Sequence, residues 1–165
     1  MVEQTWPTAE KLILNILGLA RQLYKELADE ADLLKDSPKA ELIDMITANK
    51  KKLVVQLEQL NQQFARILAA EKLANNKDGV NGYFQRVQTM GLATDEPQKN
   101  WALIQRICAE CKTLNEQNGA GIELLAQHTK RTLDILKGKP TSTNTYGRDG
   151  ITKSDPLTHT LTFYL

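Results

Sequence analysis

The strongest constraint on the fold is an apolar repeat of three and four residues in the second half of the chain. Its positions are Leu103, Ile107, Cys111, Leu114, Asn118, Ile122, Leu125, Thr129, Thr132 and Leu136. This spacing places side chains on one face of an α-helix. Gly119 and Gly121 each cost about 1 kcal/mol relative to alanine in a helix, yet the register continues through them. The pattern predicts one helix from about Asp95 to Leu136, in which the glycines let another helix approach closely. A turn at Asn118 and Gly119 is the alternative.

Two more segments in the first half carry the same spacing. The first comprises Leu12, Ile16, Leu19, Leu23, Leu27 and Leu34. The second comprises Ile46, Lys50, Leu53, Leu57, Leu60, Phe64 and Ile67, a heptad-like seam that only Lys50 interrupts. We predict two long helices, the first with Thr5 as its cap and Pro7 in its first turn.

Between the second and the last long helix lies a turn-rich interruption over residues 75–82, followed by a short amphipathic segment. That segment contains Tyr83, Phe84, Val87 and Met90 and ends at Gly91. It is predicted to form a small third helix or a lid.

Charged residues in the first half are expected at the surface. Glu26, Asp29, Glu30 and Asp32 lie largely off the apolar stripe and are predicted to form a solvated face, with binding of a basic partner as the alternative. Three lysines in succession, residues 50–52, cannot share one helix face and are likewise expected to contact water.

Composition favours an all-α protein, because aromatic residues are only 5% of the chain whereas helix-forming residues are abundant. We predict an elongated antiparallel helical bundle of three long helices and one short helix over residues 1–140. Residues 141–165, rich in polar residues, glycine and proline, are predicted to be a flexible C-terminal tail. The apolar ending Leu161–Leu165 is an exception that could dock on a groove.

Charge and cysteine content restrict the partners and the compartment. Lys and Arg number 21 and Asp and Glu number 20, with no basic stripe, so nucleic acid is not an expected partner. The two cysteines suit a reducing compartment. The N-terminus has no basic region, and the apolar run Leu12–Ala20 is too short to span a bilayer. A cytoplasmic protein without direct membrane insertion is expected.

No catalytic, metal or cofactor site is expected. Cys108 and Cys111 have redox or zinc spacing, but they lie within a helix and lack a second pair of ligands, so they are interpreted as small core residues. His128 leaves open a histidine phosphotransfer domain, although Arg131 and Thr132 stand where that family has Lys and Gly. A structural coiled-coil adaptor is a further alternative, and an enzyme is not predicted.

One part of the chain resembles the FlgN family of flagellar type III export chaperones. The resemblance is carried by Trp101, Leu114–Gly119, Thr132–Leu136 and Thr145–Gly150 in this order and spacing. It implies a chaperone that keeps hook-associated proteins one and three, which form the hook-filament junction, soluble and export-competent. Such a chaperone binds their disordered C-terminal segments and delivers them to the cytoplasmic domain of the export gate's membrane subunit.

The resemblance also assigns residues. Asn115, Asn118 and Gly119 match the family's polar-glycine motif, and the tail motif is matched by Tyr146, Gly147 and Gly150. By resemblance, Tyr146 docks on the export gate. A client that forms an amphipathic helix would need an apolar groove, for which the candidates are Leu125, Thr129, Leu133 and Leu136.

Overall fold

The computed structural model describes residues 1–36 and 39–137, except for the side chain of His128. The regular elements in these ranges are α1 (Val2–Asp36), α2 (Ala40–Ala70), α3 (Lys77–Thr89) and α4 (Asp95–Leu136). The predicted all-α fold, with three long helices and one short one, is therefore confirmed. The predicted tail over residues 141–165 lies outside the described residues.

The long helices run up, down and up. α2 is antiparallel to α1, because Glu30 contacts Lys50 near one end of the pair while Thr5 approaches Glu71 near the other. α4 runs parallel to α1 and antiparallel to α2, with its Asn118 beside Leu27. The predicted antiparallel bundle therefore holds for helices that follow one another in the chain.

α1 is the central helix, since it packs against α2 on one side and against α4 on the other. Its buried residues accordingly cover a wider face than the predicted stripe: Val2, Trp6, Ala9, Leu12, Ile13, Ile16, Leu17, Ala20, Leu23, Leu27 and Glu30. On α2 the predicted seam is buried at Ile46, Leu53, Leu57 and Phe64, and Val54 and Leu68 widen it. Apart from Glu30 and Ile46, these residues supply most of the core.

The first helix begins earlier than predicted. α1 starts at Val2, so Pro7 lies in the second turn and Thr5 is not a cap. The Thr5 hydroxyl lies 3.2 Å from the Val2 carbonyl oxygen and 2.9 Å from the Tyr83 hydroxyl. Burial of Val2 and Trp6 against the core outweighs the local proline signal.

The short helix α3 also begins inside the segment predicted as a turn. Asn76 caps it, because its Oδ1 accepts a hydrogen bond from the Gly79 backbone N–H at 2.9 Å. A Cβ at Gly79 would lie 1.8 Å from the Ala74 carbonyl oxygen, so only glycine fits there. Gly91, with φ of 76°, follows the helix end as predicted.

An aromatic cluster closes the end of the bundle where α3 lies. Phe64 stacks on Trp101 with ring centroids 5.4 Å apart, and it meets Tyr83 edge-on at 6.3 Å. Trp6 contacts both Tyr83 and Phe84 at 6.1 Å. This set of five rings is called the aromatic end below, and it joins all four helices.

α4 is a single helix, as its uninterrupted repeat predicts, but its glycines are not required for close packing. A Cβ at Gly119 would meet nothing within 4 Å, and one at Gly121 would lie 3.5 Å from Leu34 Cδ1, an ordinary contact. The prediction of a close helix approach is therefore wrong at Gly119, and alanine would fit at Gly121. Within the described ranges, none of the helices is long and apolar enough to cross a membrane.

Candidate functional site

A buried polar layer crosses the bundle near the end of α1. Glu30 is fully buried, and both of its carboxylate oxygens accept hydrogen bonds from Lys50 Nζ at 2.8 Å. Asn118 Nδ2 donates to Glu30 Oε2 and to the Leu27 carbonyl oxygen, each at 2.8 Å. The three side chains, here called the polar layer, link α2, α1 and α4.

The polar layer corrects two sequence predictions. Glu30 was expected on a solvated face and is instead buried, while the side chain of Lys50 is only 14% exposed and pairs with it. A buried charge is tolerated when it is paired and hydrogen-bonded. The sequence signal for the pair was present, because Lys50 stands alone in the apolar seam of α2.

Beyond the polar layer, α4 continues past the end of α1. Among residues 123–137, here called the α4 extension, every described side chain is exposed except that of the half-buried Asp134. At 1.5 Å per residue this segment is about 21 Å long. It presents a helical surface that the rest of the described chain does not cover.

The four residues predicted to bind a client lie on the α4 extension. Leu125, Leu133 and Leu136 are 36%, 47% and 78% exposed. Thr129 is exposed too, and its hydroxyl donates to the Leu125 carbonyl oxygen at 3.0 Å, so its polar group is satisfied within the helix. At their spacing these side chains follow one stripe, which extends the buried face of α4.

Sequence reasoning missed two apolar residues of the α4 extension. Leu124 and Ile135 are both 67% exposed and lie on a different helix face from the stripe. They fall off the repeat of three and four residues, so periodicity alone gives no reason to select them. Together with the stripe they give the extension an unusually apolar surface.

The residues that match the family motifs have different environments. Asn118 is buried in the polar layer, Asn115 is half-buried and Gly119 is exposed. Asn118 therefore has a clear structural contact between α4 and α1. Tyr146, Gly147 and Gly150 lie outside the described residues.

The cysteine pair lies in the core, as interpreted from the sequence. Cys108 and Cys111 are fully buried, and desolvation raises the pKa of each thiol from 9.0 to about 12. Such thiols stay protonated and unreactive at neutral pH. In the part of the chain that the structure describes, no three His, Cys, Asp or Glu residues are grouped so that they could hold a metal ion. The side chain of His128 falls outside that part.

Comparison with known proteins gives one family. No curated protein and no solved structure is significantly similar to the chain. The family model described as FlgN protein, by contrast, matches residues 8–154, which include all four helices from Thr8 onward and the motifs quoted above. The match covers most of the sequence, and the chain therefore belongs to the FlgN family of flagellar export chaperones.

Proposed function

We propose that the protein binds the C-terminal segments of hook-associated proteins one and three through its α4 extension. The observation that carries this proposal is the apolar stripe of α4, which is buried beside α1 and continues through Leu125, Leu133 and Leu136, where no other part of the described chain covers it. An amphipathic segment of an unfolded client can cover such a stripe by forming a helix on it. The chaperone would thereby keep the client soluble and competent for export.

The exposed leucines supply only part of the binding energy. Burying one leucine side chain contributes about 1.5–3 kcal/mol when it starts fully exposed, and these three are only partly exposed. Ordering a disordered client costs about 2–5 kcal/mol. A client held by these three residues alone would bind weakly, so a stable complex needs further contacts on this chaperone.

Delivery to the export gate is the second half of the proposal. Family membership and the tail motif support a role for Tyr146, Gly147 and Gly150 in docking on the gate's cytoplasmic domain. Tyrosine suits an anchor, because it brings a large contact area with few rotatable bonds. The chaperone then acts in the cytoplasm, without a cofactor and without catalysing a reaction.

Calorimetry with a synthetic C-terminal segment of hook-associated protein one tests the client site. Leu133→Glu combined with Leu136→Glu is expected to abolish measurable binding, because carboxylates replace the exposed apolar contacts. Leu14→Glu combined with Val55→Glu is the matched control, since these side chains are 54% and 53% exposed on α1 and α2 and lie away from the extension. Loss of binding in the control alone, or no binding by the unaltered chain, would contradict the proposal.

Gate docking is tested separately with Tyr146→Ala. We expect the variant to bind the client segment normally but to lose binding to the gate's cytoplasmic domain and to impair filament assembly. Normal filaments in cells that carry only this variant would show that Tyr146 is not the anchor.

A further inference from the structure

A second apolar cluster lies on the far side of the polar layer from the main core. Ile46 is only 5% exposed, yet it is not part of the main hydrophobic core. Other apolar residues near this end are half-buried and are likewise not packed on that core. They comprise Leu33, Leu34, Leu42, Ile43 and Ile122, and with Ile46 they are here called the distal cluster.

The chain brings three helix segments together at the distal cluster. Only Ser37 and Pro38 separate the end of α1 from Lys39, so Asp36 and Lys39 are at most about 11 Å apart. α4 joins them where Gly121 approaches Leu34, and Ile122 follows directly. The start of the α4 extension is therefore continuous with the distal cluster.

The two ends of the bundle differ in what covers the long helices. At the aromatic end α3 lays Tyr83 and Phe84 against the long helices, and both side chains are buried. At the distal cluster the described residues supply only the three long helices. The side chains there are only half-buried, so their exposed parts can contact one further amphipathic helix.

The surface around the distal cluster is acidic. Between residues 31 and 49, on the side of the polar layer where the cluster lies, acidic residues outnumber basic ones by four to two. The acids are Asp32, Asp36, Glu41 and Asp44, and the bases are Lys35 and Lys39. On α4, Glu116 and Glu123 flank the start of the extension and add to the negative potential there, whereas Lys130, Arg131 and Lys137 make its far half basic. This surface, here called the acidic rim, attracts a basic partner.

We propose that the distal cluster and the α4 extension form one continuous client site, which takes an amphipathic helix whose apolar face is flanked by Lys or Arg where it lies on the distal cluster. This inference rests on the proposed function, and it adds a location and a partner chemistry to it. A stable interface buries about 800 Å² on each partner, and the half-buried side chains of the distal cluster add apolar contacts to those of the extension. The acidic rim selects clients by charge.

Calorimetry of the synthetic client segment at two salt concentrations tests the rim. Asp32→Lys combined with Asp36→Lys is expected to raise Kd about tenfold at low salt, and less at high salt. Both positions are exposed, so the substitutions leave the fold intact. Glu3→Lys combined with Glu58→Lys makes the same charge change on exposed residues outside the rim and should leave Kd unchanged.

The apolar residues of the distal cluster are tested with a variant that combines Leu34→Ala and Ile43→Ala. We expect Kd to rise about tenfold or more, since two partly buried side chains lose their contacts with the client. Circular dichroism checks that this variant remains folded, and the charge variants test the site independently if it does not.

The outcomes separate this inference from the proposed function. Binding that is lost in the Leu133→Glu, Leu136→Glu variant but is unchanged in every distal variant would overturn the inference and leave the proposed function standing. An equal effect of the rim variant and its charge-matched control would also overturn it. A client segment that does not bind the unaltered chain would overturn both.

Discussion

The two ends of this bundle are built from the same apolar repeat but differ in how far that repeat is covered. At the aromatic end, α3 supplies buried rings against the long helices, and Phe64 is fully enclosed. At the other end, α4 keeps its repeat while its side chains become exposed after Ile122. The comparison teaches that the repeat predicts helices, whereas the available neighbours decide which part becomes core and which part stays exposed.

The polar layer marks the border between these two ends. A buried ion pair is weak evidence for stability by itself, because desolvation offsets much of the attraction between the charges. Its geometric effect is clearer, since Glu30 accepts from both Lys50 and Asn118 and so fixes α2 and α4 relative to α1. The extension therefore leaves the bundle at a defined position.

The largest expected effect separates core from surface. Phe64→Ala should lower the free energy of unfolding by about 3–5 kcal/mol, because it empties a site between Tyr83 and Trp101. Leu133→Ala should change it by less than about 0.5 kcal/mol, since that side chain is exposed. Urea unfolding of both variants measures the difference. Equal destabilisation would mean that the α4 extension is covered in solution.

The next largest expected effect on stability concerns the polar layer, which lies between the two ends of the bundle. Glu30→Ala should lower the free energy of unfolding by about 3 kcal/mol, because it leaves Lys50 and Asn118 without their shared acceptor. Asp29→Ala, one residue earlier and exposed, serves as the control and should have little effect. If Glu30→Ala is as stable as the control, the carboxylate is not buried in solution.

The smallest effect depends on pH and probes the middle of α4. The thiols of Cys108 and Cys111 have pKa values raised to about 12, so they release protons in the unfolded chain before they do so in the folded one. Stability from these groups is complete below about pH 9, the unfolded pKa, and falls as the pH rises towards 12. The loss is about 1 kcal/mol per thiol by pH 10.

Urea unfolding at pH 7 and pH 10 measures this loss. A variant with Cys108→Ala and Cys111→Ala should lose less stability between the two pH values than the unaltered chain, because it lacks the two thiols. Other groups titrate in both proteins, so the variant still loses some stability. The same loss in the two proteins would mean that the thiols are accessible to water.

Much of the fold was predictable, because the helical repeat continues through individual residues that disfavour a helix. α4 runs through Gly119 and Gly121 as expected, since a cost of about 1 kcal/mol per glycine does not interrupt a repeat that spans the whole helix. The starts of α1 and α3 were less predictable. Pro7 was predicted in the first turn of α1 and lies in the second, and Asn76 was assigned only to a turn although it caps α3.

The candidate site was only partly predictable. The stripe from Leu125 to Leu136 follows from spacing, but its exposure depends on where α1 ends, which no property of α4 reveals. The polar layer was missed because Glu30 stands among acidic residues that contact water. A buried acid could have been inferred, because Lys50 and Asn118 are polar residues at positions of the apolar repeats of α2 and α4. Buried polar groups need hydrogen-bond partners. The assignments to Leu125, Thr129, Leu133 and Leu136 stay predictions.

Hydrogen exchange tests the central claim that the open end of the bundle holds the client. The backbone amides are compared with and without the synthetic C-terminal segment of hook-associated protein one. We predict new protection in residues 122–137 and at the distal cluster, with no change around the aromatic end. Protection confined to the aromatic end, or bound client with unchanged exchange in residues 122–137, would contradict the account.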